Sequence, residues 1–151
     1  MGLAGLLDES RVQVGLRAKT KSDALRAVAK LFAKAHGVDT DRAFSSLMAR
    51  EEIAMTGIGE GLALPHGRID GVKKPVYVLA VTAEGIEWDA SDGKPVRFLA
   101  AVLAPEKAAA DPVKLLARLA RAFRDAGFRQ RLAGAKNVAQ ALEVLRAGDK
   151  G

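Results

Sequence analysis

Val76-Tyr77-Val78-Leu79-Ala80-Val81-Thr82-Ala83 and Phe98-Leu99-Ala100-Ala101-Val102-Leu103-Ala104 are the stretches that decide the fold. Both are apolar almost without a break. A strand with one wet face alternates apolar and polar residues, so an unbroken run reads as a strand buried on both faces. That burial requires helices above and below the sheet. Between the two runs, Ile86-Glu87-Trp88 alternates like a strand, and Ser91-Asp92-Gly93 supplies turn chemistry ahead of Val96. Trp88 reads as a core or edge anchor.

Upstream, Ser22 to Ala35 carries Leu25, Val28, Leu31, Phe32 and Ala35 at spacings of three and four. This pattern predicts an amphipathic helix with Thr20 as N-cap and Gly37 as its stop. Asp39 or Thr40 caps a second helix bearing Phe44, Leu47 and Met48, which ends near Glu52. Downstream, Asp111-Pro112 pairs an N-cap acid with a proline at the first helical position. The stripe Val113, Leu116, Leu119, Ala120 and Phe123 follows, with Gly127 as its expected end and Phe128–Leu132 as a further short turn. Asn137, with Gln140 three residues later, resembles a capping box for a last helix bearing Val138, Leu142 and Leu145. The fold class is therefore α/β: a mixed β-sheet flanked by helices on both faces, in a single domain over residues 1–151.

The 151 residues suit one domain, and 49% hydrophobic with 28% charged residues is an ordinary globular balance that supports a core without covalent staples. The absence of cysteine excludes disulfides, Cys-ligated zinc, iron–sulfur clusters and thiol nucleophiles. No apolar run approaches the roughly 20 residues that span a bilayer, so no membrane insertion is expected. Met1 to Asp8 lacks the basic region of a secretory signal, and a cytoplasmic location is expected. Lys plus Arg number 24 against 18 acids, a net charge of +6. Spread over solvated helix faces, this excess does not make a nucleic-acid footprint, and five Phe, one Tyr and one Trp leave little surface for stacking bases. Lys114, Arg118, Arg121 and Arg124 do share one helix face, which supports an alternative reading as a basic module for acidic partners.

Chemistry is concentrated between Arg50 and Arg68. Ile53 to Gly61 is too rich in glycine for a helix, and Leu62-Ala63-Leu64 reads as a short strand stopped by Pro65-His66-Gly67. Of the two histidines, His36 ends the first helix, where an imidazole suits the dipole and can satisfy terminal carbonyls. His66 differs: Pro65 fixes the backbone before it, and Gly67 lets another chain or a phosphate approach closely. A metal centre lacks ligands, since there is no Cys, one other His and no ligand-spaced acidic cluster. A serine hydrolase lacks its G-x-S-x-G elbow. The imidazole itself remains as nucleophile. A neutral ring nitrogen can take a phosphoryl group when the other nitrogen is held by a hydrogen bond. Arg50, Thr56, Arg68 and the backbone N–H groups of the Gly-rich segment can supply the donors and positive charge such a group needs. Gly57-Ile58-Gly59-Glu60-Gly61-Leu62 fails G-x-G-x-x-G at its last position, and no P-loop is present, so no nucleotide and no other cofactor is expected.

The whole stretch Arg50-Glu51-Glu52-Ile53-Ala54-Met55-Thr56-Gly57-Ile58-Gly59-Glu60-Gly61-Leu62-Ala63-Leu64-Pro65-His66-Gly67-Arg68 resembles the signature of the fructose/mannitol-type IIA domains of the bacterial phosphoenolpyruvate:sugar phosphotransferase system (PTS). Ile86 to Val96 is similar to that family's strand–turn–strand, and the resemblance runs over residues 5–146. It implies a mixed sheet flanked by helices and a tele-phosphohistidine intermediate on His66. It also implies a phosphate stabilised by Arg50, Thr56, Gly57, Gly59 and Arg68, and an HPr-type phosphocarrier as donor. With no room for attached IIB or IIC domains, the chain looks most like the nitrogen-regulatory branch, whose phosphorylation state acts on a regulated target protein. The alternative is a stand-alone IIA subunit of a sugar transporter, with a IIB acceptor. Two residues depart from the family pattern. Met55 stands where a Ser is usual, and Pro112 stands where a second His is usual, beside Asp111, which would repel a phosphate. The second departure implies a phosphorylation-state sensor rather than an efficient relay.

Overall fold

The structure, a computed structural model, describes residues 7–53, 56–90, 92–107, 117 and 120–148. A single 3-10 turn over Glu9–Arg11, capped by the Asp8 carboxylate, leads into β1, Val12–Leu16. Helices α1 (Lys21–His36) and α2 (Thr40–Ile53) follow. Next come β2 (Gly57–Gly59), β3 (Leu62–Ala63), β4 (His66–Ile69), β5 (Val76–Ile86) and β6 (Val96–Pro105). Helices α3 (Ala126–Ala133) and α4 (Val138–Gly148) close the described chain.

Among the described residues these strands form one sheet of order β1-β5-β6-β3-β2, with β4 also paired to β6. The sheet is mixed. β1 runs parallel to β5, β5 antiparallel to β6, β3 and β4 parallel to β6, and β2 antiparallel to β3. Side chains of β6 alternate between two cores. Leu99, Ala101 and Leu103 pack with Leu25, Val28, Phe32 and Leu47 of α1 and α2. Phe98, Ala100 and Val102 pack with Phe123, Phe128, Leu132 and Leu145 on the opposite face. The unbroken apolar runs are thus explained by burial on both sides. Trp88 is fully buried, packed with the α1–α2 core.

Local chemistry sets the helix ends. Thr20 Oγ1 accepts from Asp23 N–H at 3.1 Å, and Gly37 stops α1 in the left-handed conformation at φ 72°. Asp39 rather than Thr40 caps α2, accepting from Arg42 N–H at 2.9 Å. Asn137 caps α4 by accepting from Gln140 N–H at 2.9 Å. The Gln140 side chain reaches back one residue further than a standard box, taking Lys136 N–H at 2.8 Å.

Several boundaries differ from the sequence reading. The strand beginning at Val76 runs on to Ile86, whereas Glu87 and Trp88 lie beyond it. Gly127 does not end the helix that contains Ala120 to Ala122. That helix closes with tight bonds from Arg124 N–H to Arg121 O and Asp125 N–H to Ala122 O. Asp125 then caps α3 by accepting from Gly127 N–H at 2.9 Å, so Gly127 opens a helix instead of stopping one. The expected helix start at Asp111-Pro112, with Val113, Leu116 and Leu119, lies outside the described residues.

Candidate functional site

The site is built where α2 crosses β4. Partners of β3 and β4 advance along β6 in one register, Ala63 opposite Leu99 and His66 opposite Val102. The two short strands are therefore one line of chain along β6, interrupted at Leu64-Pro65, with β2 paired to its β3 half. Pro65 removes one ladder donor on the side facing β6, which breaks the strand there, while Pro65 O still accepts from Val102 N–H at 3.1 Å. Alternation carries Leu62 and Leu64 into one core and Ala63 and Ile69 into the other. His66 and Arg68 share the face of Leu62 and Leu64, while Gly67 faces α2.

Gly67 is required by close packing. A Cβ there would collide with Ser46 Oγ and lie 3.2 Å from the Ser46 backbone carbon. The segment that approaches this glycine is thus α2, rather than another chain or a phosphate. Ser46 Oγ also donates to Arg68 O at 2.7 Å, riveting the helix to the strand. One helical turn on, Arg50 lies on the same face as Ser46. From there its Nε–H donates to His66 Nε2 at 3.0 Å.

The other ring nitrogen, Nδ1, is 2.7 Å from Leu64 O. A carbonyl only accepts and a guanidinium only donates, so both contacts are satisfied by one tautomer. Nδ1 carries the proton and Nε2 presents its lone pair. His66 is half-buried. Among the described residues no group of three or more His, Cys, Asp or Glu could hold a metal ion, and no helix is long and apolar enough to cross a membrane.

Behind this pair lies a polar cluster that sequence reasoning missed. Glu51 is 7% exposed. Its carboxylate accepts from Thr56 N–H at 3.1 and 3.2 Å, from the Thr56 hydroxyl, and from Lys21 Nζ at 3.1 Å. Lys21 in turn lies over the Trp88 ring, 5.4 Å from its centroid. The Thr56 hydroxyl proton is thereby committed to Glu51. The one available signal was spacing: Ala43, Leu47 and Glu51 are the buried residues of α2, and the acid continues the apolar stripe at intervals of four.

The remaining expected site residues are placed as follows. Gly57 and Gly59 lie in β2, which forms a hairpin with β3 instead of an open loop, Gly57 opposite Ala63 and Gly59 opposite Leu62. Its tip turns through Glu60 and Gly61 at φ 56° and 76°. Gly57 is packed so tightly that a Cβ would lie 2.9 Å from Trp88 Cδ1. Arg68 is exposed and its Nη1 donates to Pro105 O at 2.9 Å. Met55, Asp111, Pro112, Lys114 and Arg118 lie outside the described residues, and Arg121 and Arg124 are exposed.

His36 stands apart from this cluster. Its Nε2 donates to Tyr77 O on β5 at 3.1 Å, not to a terminal carbonyl of its own helix. Burial holds its pKa below the ordinary imidazole value, opposed in part by that bond to Tyr77. Asp92 is held below the usual carboxylate range by the N–H groups of Glu60 and Lys94.

The mixed sheet flanked by helices on both faces is the fold of the phosphotransferase-system IIA domains. The chain belongs to the family of the phosphoenolpyruvate-dependent sugar phosphotransferase system, EIIA 2, whose model matches residues 5–148. It is 31% identical over 145 residues to a nitrogen regulatory protein of Bradyrhizobium diazoefficiens, covering 96% of this chain and 95% of that one. It is 35% identical over 127 residues to the PTS system fructose-specific EIIA component of Haloferax volcanii, with 83% and 82% covered. The nitrogen regulatory protein IIA-Ntr of Neisseria meningitidis superposes with a TM-score of 0.85 at 29% identity, over 95% of this chain and 98% of that one.

Proposed function

We propose that His66 is a phosphoacceptor, taking a phosphoryl group on Nε2 from an HPr-type phosphocarrier, and that the chain acts as a nitrogen or metabolic regulatory protein. The observation that carries this reading is the pair of contacts on the His66 ring, Nδ1 to Leu64 O and Nε2 to Arg50 Nε. The Nε2 lone pair attacks phosphorus in line, and the bond from phosphorus to the carrier's nitrogen breaks, its electron pair returning to the carrier's ring. Because Nδ1 keeps its proton, the His66 ring becomes cationic, and the Leu64 carbonyl stabilises that cation as it already holds the neutral ring. Arg50 and Arg68 supply the charge that offsets the phosphoryl group.

The regulatory role is supported by the nearly full-length likeness to nitrogen regulatory proteins. A second reading, the IIA subunit of a sugar transporter, is favoured by the 35% identity to a fructose-specific component. Pro112 bears on the choice: a residue with neither side-chain donor nor N–H offers a phosphate little, which suits a sensor better than a relay.

The test is incubation with phosphoenolpyruvate, enzyme I and an HPr-type carrier, followed by intact mass. One acid-labile phosphoryl group is expected on the wild type and none on His66→Ala. Labelling that survives His66→Ala refutes the assignment. Rapid passage of the group to a IIB domain would favour the transporter reading. Pro112→His with unchanged rates of uptake and of back-transfer to carrier would remove the argument for a sensor.

A further inference from the structure

The β2–β3 ladder continues one step beyond the strands, and there it breaks its own rule. Leu64 N–H donates to Thr56 O at 3.0 Å. In an antiparallel ladder, residues bonded this way exchange two bonds, so Thr56 N–H should return to Leu64 O. Here Thr56 N–H goes to the Glu51 carboxylate at 3.1 and 3.2 Å instead, and Leu64 O accepts from His66 Nδ1 at 2.7 Å.

We infer that Glu51 is the positioning residue that selects the His66 tautomer, by drawing the Thr56 N–H away from the Leu64 carbonyl and so leaving that carbonyl for Nδ1–H. The inference rests on His66 being the phosphoacceptor, and it adds a residue that never touches the phosphoryl group.

Three features make the exchange one-sided. A bond to a buried carboxylate is charge-assisted and outcompetes a neutral peptide carbonyl. The Thr56 hydroxyl binds the same carboxylate, so Glu51 grips the residue by two donors. Lys21 Nζ, 3.1 Å from Glu51 Oε1, fixes the carboxylate in place. The linkage is positional, not electronic. Thr56 N–H belongs to the peptide before Thr56 and Thr56 O to the peptide after it, so no polarised chain of bonds runs from Glu51 to the ring. Removing the carboxylate allows Thr56 N–H to close the ladder on Leu64 O and compete with Nδ1–H. With Nδ1–H held less firmly, the other tautomer, in which Arg50 must release Nε2, gains population, and its protonated Nε2 cannot attack.

The test uses the full chain with 15N-labelled histidine. In unphosphorylated wild type, the His66 ring signals should report the Nδ1–H tautomer. In Glu51→Ala, signals of the Nε2–H tautomer should grow, and the phosphorylation rate constant should fall about 10- to 100-fold with little change in the KM for the carrier. Glu51→Gln, which keeps an acceptor for Thr56 N–H, should restore the Nδ1–H tautomer and most of the rate. Thr56→Ala keeps the N–H, loses only the hydroxyl, and should shift the tautomer balance less than Glu51→Ala. If Glu51→Ala does not fold, Glu51→Leu with Lys21→Met replaces it, removing both charges and carrying the same expectation. An unchanged tautomer and rate in a folded variant overturns the inference. So does a rate loss with an unchanged tautomer, which would make Glu51 merely structural. Because the ring signals are read without phosphoryl transfer, a chain that is never phosphorylated refutes the proposed function without obscuring the tautomer result.

Discussion

Arg50 Nε–H rests on the lone pair of His66 Nε2, at 3.0 Å. The group that would meet an incoming phosphate therefore occupies the nucleophile's line of attack. On the proposed reading, the guanidinium moves off that line to admit the phosphoryl group and offers its donors to the new oxygens. On that same reading, the contact that keeps the resting ring in register becomes, after a small displacement, the clamp on the product.

Arg50→Lys keeps the charge and loses the planar fork. If one charge-assisted hydrogen bond is made in the transition state, its loss costs about 1.5–3 kcal/mol. That is about 10- to 150-fold in the rate of phosphorylation. Single-turnover transfer from the phosphorylated carrier measures it. An Arg50→Ala variant phosphorylated at the wild-type rate would make Arg50 a purely structural contact.

The two histidines should separate cleanly. His36→Ala is expected to retain full labelling, since its ring serves Tyr77 O on β5. Its cost should instead appear in stability, about 0.5–1.5 kcal/mol for one lost hydrogen bond. Loss of labelling in a folded His36→Ala protein would contradict this division.

His36 also gives stability a pH dependence. Burial lowers its pKa in the folded chain, with Arg11 lowering and Asp8 and the Tyr77 bond raising it. Below the ordinary value, about 6.5, the unfolded chain binds a proton that the folded chain resists. Stability should therefore be full above that pH and decline as pH falls through it to the folded value. Denaturant midpoints of wild type and His36→Gln, taken from pH 7.5 to 5, should diverge at the top and converge at the bottom. Parallel curves would show that His36 does not carry the effect.

Gly67→Ala places a methyl group against Ser46 at the α2–β4 contact. Overpacking of this kind costs about 1–3 kcal/mol. Ser46→Ala in the same chain should recover only part of it, because the Ser46 backbone carbon stays 3.2 Å from the new Cβ. Urea unfolding of the two single variants and the double variant gives the coupling, and simple additivity would mean that the two positions do not press on each other.

Elements governed by their own residues were legible in advance. Thr20, Gly37 and Asn137 act within a few positions of themselves, and the runs around Leu79 and Ala101 advertise burial on both faces. Gly127 was misread because the same residue suits a helix end or an N-terminal turn. The Asp125 side chain decides between them. At the site, the residues that meet, Arg50 and His66, carry distinctive chemistry in sequence. The partner of Gly67 and the direction of the Thr56 hydroxyl do not. Both depend on α2, whose docking on β4 is a tertiary event. Glu51 was hidden because an acid beside Arg50 and Glu52 reads as one more solvated charge.

The bond from His66 Nδ1 to Leu64 has a consequence for traffic. With one nitrogen committed to the backbone, the ring has a single port. On the proposed reading, a phosphoryl group arrives along the Nε2 axis and must depart along it. Donor and acceptor cannot both stand on that axis, so they serve the ring in alternation, by a ping-pong scheme. An abundant unphosphorylated carrier would then delay any target simply by queueing at the same door.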